Sequence, residues 1–167
     1  GYLEGYIGRI QKLSLGSIEF PGVLTSFQNV DENWLQDKDK YSNGILGNNL
    51  LSRFDVFMDY NRGQLMLKPY KAKQEPFVMD RSGLVLFAFG TGFNQFAVRD
   101  ILSDSPAQEA DFQLNDVLTR IQGTAAKYYT LDDINRVLQK KAGKKLKLQI
   151  LRGKELMRKE LTLRDLI

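Results

Sequence analysis

From Tyr2 to Phe27 apolar residues return at every second position in short stretches, Leu13 with Leu15 and Ile18 with Phe20. A period of two puts those side chains on one face of an extended chain. The stretch therefore predicts β-hairpins, broken at Gly16 and at Pro21-Gly22. Asp31 to Ser42 (DENWLQDKDKYS) is polar throughout and predicts a surface loop. Asn43-Gly44-Ile45-Leu46-Gly47 predicts a very short apolar strand between glycines, and 48–53 one or two helical turns capped by Asn48. From Asp55 to Lys68 a further hairpin is expected. Val56, Met58 and Tyr60 alternate, Asn61-Arg62-Gly63 turns, and Leu65 and Leu67 alternate back.

Pro69 to Pro76 (PYKAKQEP) has no apolar period and is bounded by prolines, which places a linker over 71–76 between a unit at 1–70 and another at 77–167. In the second unit, 84–89 and 96–102 read as strands separated by Gly90-Thr91-Gly92. Ser105 caps a short helix with Pro106 at its first position, where a missing N–H costs nothing. A strand is expected over 117–121. Thr130 caps a second helix running to about Lys141, with Leu131, Ile134, Val137 and Leu138 at helical spacing and Asp132 and Asp133 near its positive end. Leu146, Leu148 and Ile150 alternate, Arg152-Gly153-Lys154 turns, and Leu161 and Leu163 belong to a last strand.

The composition narrows the chemistry. The 167 residues include no histidine and no cysteine. A serine or cysteine nucleophile activated by imidazole is therefore excluded within this chain, as is a zinc site of imidazole or thiolate ligands. No Ser-x-x-Lys, Gly-x-Ser-x-Gly or P-loop pattern occurs, and no cofactor is implied. The formal net charge of +4 lies wholly in the second unit: 1–76 carry nine basic and nine acidic residues, 77–167 fifteen and eleven. Lys140, Lys141, Lys144, Lys145 and Lys147 raise a nucleic-acid or anionic-membrane reading. Lys145 and Lys147 alternate with leucines, though, as on the wet face of a strand, and no stacking aromatics accompany them. Nucleic acid is thus not an expected partner, and no segment is apolar enough to predict membrane insertion.

Ser105-Pro106-Ala107, then Leu114-Asn115-Asp116-Val117-Leu118 and Ile121-Gln122-Gly123, resembles the signature run of PDZ domains, and the order of elements agrees. Asp111 and Asn115 stand where that family usually has glycine. The resemblance implies a small β-sandwich with two helices that binds peptides or protein C-termini. A carboxylate would be held by a loop matching Arg81-Ser82-Gly83-Leu84, where Gly83 suits close backbone approach and Arg81 adds charge. The peptide would add as a strand beside Leu84, Val85 and Leu86, with Leu131 and Leu138 on the helical wall of the groove. A one-residue shift of that helix presents Thr130 and Ile134 instead. Peptides with a free, apolar C-terminal residue are the expected ligands.

Asn43 to Gly47, Leu50-Leu51, Phe54, Met58-Asp59-Tyr60 and Leu65-x-Leu67-x-Pro69 together are similar to the C-terminal portion of retropepsin-like aspartyl proteases. The fold expected is thus mostly β with short helices (α+β), a partial acid-protease-like β-barrel half followed by the PDZ-like sandwich. Neither Asp-Thr-Gly nor Asp-Ser-Gly occurs, so this chain is expected to cleave nothing while its parent carries the missing aspartate upstream. The resemblance also implies self-association through the protease-like half and a cell-envelope, periplasmic or secreted location. The alternative is a non-catalytic interaction scaffold.

Overall fold

The computed structural model describes residues 5–28, 44–70 and 75–167. The chain divides into two compact units, Gly1–Phe77 and Val78–Ile167. The loop expected at 31–42 lies outside the described residues, as does most of the linker.

In the first unit, β1 (Gly5–Leu15) and β2 (Ile18–Gln28) form one long antiparallel hairpin that turns at Gly16. Pro21-Gly22 does not break it, contrary to the sequence expectation. Among the described residues β2 pairs on one side only, and an edge strand tolerates a residue without an N–H. A single helical turn, α1 (Asn48–Leu51), follows, with Gly47 and not Asn48 in the capping position and no side-chain cap. Then β3 (Phe54–Asp59) and β4 (Gln64–Pro69) make the second hairpin. Phe20, Val23, Leu50, Phe54 and Phe77 form the unit's core, Phe20 meeting Phe54 edge-on at 5.6 Å between ring centroids. The Arg53 guanidinium lies 3.7 Å above the Phe77 ring, and its Nη1 donates to the Glu75 carbonyl at 2.5 Å.

The strand expected over 43–47 is absent from its described part. Residues 44–47 are irregular, Ile45 is 94% exposed, and no described strand pairs with them. A stretch this short needs a neighbouring strand to hold it extended. The described residues of this unit form two separate two-stranded sheets and no closed barrel.

The second unit is built on one sheet. Its strands are β5 (Leu84–Phe89), β6 (Gln95–Ile101), β7 (Val117–Ile121), β8 (Thr124–Ala125), β9 (Lys145–Arg152) and β10 (Glu155–Thr162). The order is β10-β9-β7-β6-β5, with β8 on β7 and every pairing antiparallel. Two helices, α2 (Pro106–Glu109) and α3 (Leu131–Leu138), complete it. Ser105 Oγ accepts the Gln108 N–H, and Thr130 with Asp133 forms a reciprocal capping box, each satisfying N–H groups that the first turn leaves without a carbonyl. Phe96, Ile121, Ile134, Leu138, Leu146 and Ile150 expose nothing and tie sheet to helix. Lys145 and Lys147 are exposed while Leu146 and Leu148 are buried, the alternation their spacing anticipates.

Two departures have local causes. The second helix ends at Leu138, not at about Lys141, because Arg81 takes its last carbonyls. The Arg81 N–H donates to Leu138 O at 3.1 Å and its Nη1 to Gln139 O at 2.7 Å. Asp111 and Asn115, at positions where glycine is usual, both adopt left-handed backbone, at φ 53° and 68°. Asp111 is held there by Lys159 Nζ at 2.9 Å and Arg152 Nη1 at 3.3 Å.

Candidate functional site

The sheet ends at β5, whose outer edge has no partner strand among the described residues, and α3 packs against that strand. Leu84, Leu86 and Ala88 alternate toward the core, while Val85 is exposed. On α3, Ile134 and Leu138 are wholly buried in the core, and Leu131 and Val137 are partly buried against it. The Thr130 hydroxyl is spent in the capping box. Of the two helix settings open at the sequence level, the one presenting Thr130 and Ile134 keeps Thr130 exposed but has Ile134 wholly buried. In the other, Leu131 is partly exposed and Leu138 wholly buried.

The segment preceding β5 differs most from expectation. Asp80 Oδ1 accepts three hydrogen bonds, from the Ser82 N–H at 2.9 Å, the Gly83 N–H at 2.6 Å and the Ser82 hydroxyl at 2.8 Å. Ser82 Oγ in turn accepts the Leu84 N–H at 3.1 Å. Gly83 O accepts from Leu102 N–H, so Gly83 faces β6, and the next amide, that of Leu84, faces the open edge. Asp80 Oδ2 is buried with no hydrogen-bond partner. Burial pushes the Asp80 carboxyl above the ordinary carboxylate range, against the opposing pull of the Ser82, Gly83 and Leu84 hydrogen bonds.

Gly83 is required for another reason than ligand approach. Its φ is 81°, and a Cβ there would collide with the Ser105 side chain. Arg81 is likewise turned inward, with Nε on Asp165 Oδ1 at 2.5 Å and Nη1 on Gln139 O. The structure thus sets Arg81 against the Leu138 end of α3 and runs on through Ser82 and Gly83 into Leu84, Val85 and Leu86 of β5, while Leu131 stands at the other end of that helix. It engages internally the groups on Arg81 and Gly83 that were expected to meet an anion. The residue that sequence reasoning missed is Asp80. Its signal was present: an aspartate two residues before Ser-Gly is the pattern of a side chain that accepts backbone N–H groups just downstream. A hollow of about 340 Å³ beside Pro106, Glu109, Leu161 and Arg164 contains none of these residues.

The family model described as PDZ domain matches residues 73–163, more than half of the chain. The chain belongs to the PDZ domain family. Among solved structures, the PDZ-bearing chain resembles the HtrA-type protease AlgW with decapeptide at TM-score 0.50 and 16% identity, over 67% of this chain and 41% of that one. It is also similar to a photosystem II D1 C-terminal processing protease (TM-score 0.47, 22% identity, 52% and 23% of the two chains). A third likeness is to the HtrA3 PDZ domain bound to a phage-derived ligand, FGRWV (TM-score 0.43, 13% identity, 50% and 83%). No curated relative matches. The chain spans less than half the length of either protease, and at these identities the likeness to AlgW is one of fold.

Proposed function

We propose that the PDZ unit binds extended peptide segments by adding them as a strand to the free edge of β5, beside Leu131 of α3, for a proteolytic parent protein. The carrying observation is that open edge, flanked by a helix and started by a rigidly held loop. Main-chain bonds would supply most of the affinity and apolar contact with Leu86 and Leu131 the remainder. The test is peptide binding by the 167-residue chain and by Leu131→Asp. An aspartate at the first position of α3 suits the helix's positive end, while the proposed groove wall becomes charged; a thermal melt of the variant checks that the fold is kept. Binding weakened about tenfold or more in that variant is the expected result. Unchanged binding would move the site elsewhere.

Within this proposal, residues 1–70 are the C-terminal part of a retropepsin-like aspartyl protease domain. The ordered set Leu50-Leu51, Phe54, Asp59-Tyr60, Leu65 and Leu67 supports this reading, as do two hairpins around a helical turn. The irregular, exposed 44–47 segment does not add to it. The reading requires the parent protein to cleave a protein substrate in a pepstatin-sensitive manner and this chain to cleave none. Proteolysis by this chain would refute it.

A further inference from the structure

The loop that would seat a peptide's terminal carboxylate already holds one. All three N–H groups of Ser82, Gly83 and Leu84 are engaged, two by Asp80 Oδ1 directly and the third through the Ser82 hydroxyl, which itself donates to that oxygen. The other Asp80 oxygen is enclosed without a donor. Arg81, the cation within the loop, has Nε on Asp165 and Nη1 on backbone carbonyls of Gln139 and Lys140. Two of the three Arg81 guanidinium nitrogens are thus committed within the unit.

We propose, resting on the peptide-binding reading above, that Asp80 is a specificity-determining residue. It fills the carboxylate seat at the head of β5, so the groove takes internal or amide-ended peptide segments in preference to free C-termini. This reverses the ligand expected from the sequence. A peptide acid entering this loop has to displace the hydrogen bonds to three N–H groups and stand beside a buried carboxylate that has no counter-charge of its own. A segment continuing past the loop brings no such charge and still pairs along β5. The carboxyl, pushed up by its burial, is already short of stabilising charge, and a second anion would worsen that.

The experiment uses the full 167-residue chain and two phage libraries, one displaying free C-termini and one displaying segments fused at both ends. Each recovered sequence is synthesised as the free acid and as the amide, and its affinity for wild type, Asp80→Ala and Asp80→Asn is measured by fluorescence anisotropy at neutral pH. Wild type is expected to bind the amide as tightly as the acid, within about twofold, or more tightly. Asp80→Ala empties the seat and is expected to favour the acid by about tenfold. Asp80→Asn keeps the accepting oxygen, and so the loop, but removes the charge. It is expected to lie between the two and remains informative should the alanine variant not fold. A preference for the acid above twofold in wild type, or no gain of acid preference in either variant, overturns the role given to Asp80 and leaves the peptide-binding reading standing. If neither library yields a binder, the peptide-binding reading itself is overturned, and this inference with it.

Discussion

Arg152 meets Asp116 with two parallel bonds, Nε to Oδ1 at 2.7 Å and Nη2 to Oδ2 at 2.8 Å, and the aspartate side chain is entirely enclosed. Asp116 also accepts the Gln113 N–H, so it fastens the turn before β7 to the end of β9. Replacing only the arginine leaves a buried carboxylate without its cation. Arg152→Met is expected to lower unfolding free energy by about 3 kcal/mol, measured by urea denaturation. A loss below about 1 kcal/mol would show that the pair contributes no more than a surface bridge.

Asp111 answers the same arginine from outside. Lys159, then Arg152 and Gln113, hold its carboxyl at about 2, below the ordinary value of 3.8. A lowered value means the folded state prefers the ionised form. The contribution is therefore complete above about pH 4 and is lost as pH falls toward 2. In Asp111→Asn this part of the acid destabilisation disappears. Melting temperatures of the two proteins are expected to differ at pH 5 and converge toward pH 2, and a constant difference would contradict the assignment.

Gly83 and Gly123 both have strongly positive φ, 81° and 88°, but only the first faces a neighbour. Gly83→Ala is expected to cost about 3 kcal/mol, since strain and collision with Ser105 add. Gly123→Ala, with nothing near the new methyl, should cost about 1 kcal/mol from strain alone. Equal losses in chemical denaturation would mean that the Ser105 contact relaxes.

Residues 78–167 own a continuous core and a capped helix pair, and are expected to melt cooperatively as an isolated fragment. Residues 1–77 leave strand edges of both hairpins unpaired among the described residues and expose Phe57 and its cross-strand partner Met66 by more than half. Alone they are expected to aggregate, detectable by light scattering. A soluble fragment with a sharp melt would disprove this.

What the sequence discloses differs between the units for a physical reason. The second unit's signals are local: Ser105 and Thr130 announce their helices by side-chain chemistry a few residues long, and Leu146, Leu148 and Ile150 announce a strand by period. Ile45-Leu46 is also apolar and short, but whether such a segment becomes a strand is decided by a partner strand its own residues do not specify. The site was legible as a place but not as a state. That β5 begins just after Gly83 follows from motif order. That Arg81 would turn to Asp165, 84 positions away, leaves no periodic trace at all. The Asp80 clamp does leave one, and reading it requires asking which acceptor a Ser-Gly turn will use.

Arg81 joins three parts of the PDZ unit through one residue: its N–H reaches the end of α3, its carbonyl receives the Arg164 N–H, and its side chain grips Asp165. The segment entering the unit and the segment following β10 therefore meet at a single corner. Tension applied between residues 78 and 167 loads this clasp, with the Arg164 bonds to Glu109 and Asp104, before any sheet pairing is stretched. The unit would yield to traction by releasing its tail and the loop before β5 together, so the head of β5 would feel a pull on the chain while the remainder of the fold stayed slack.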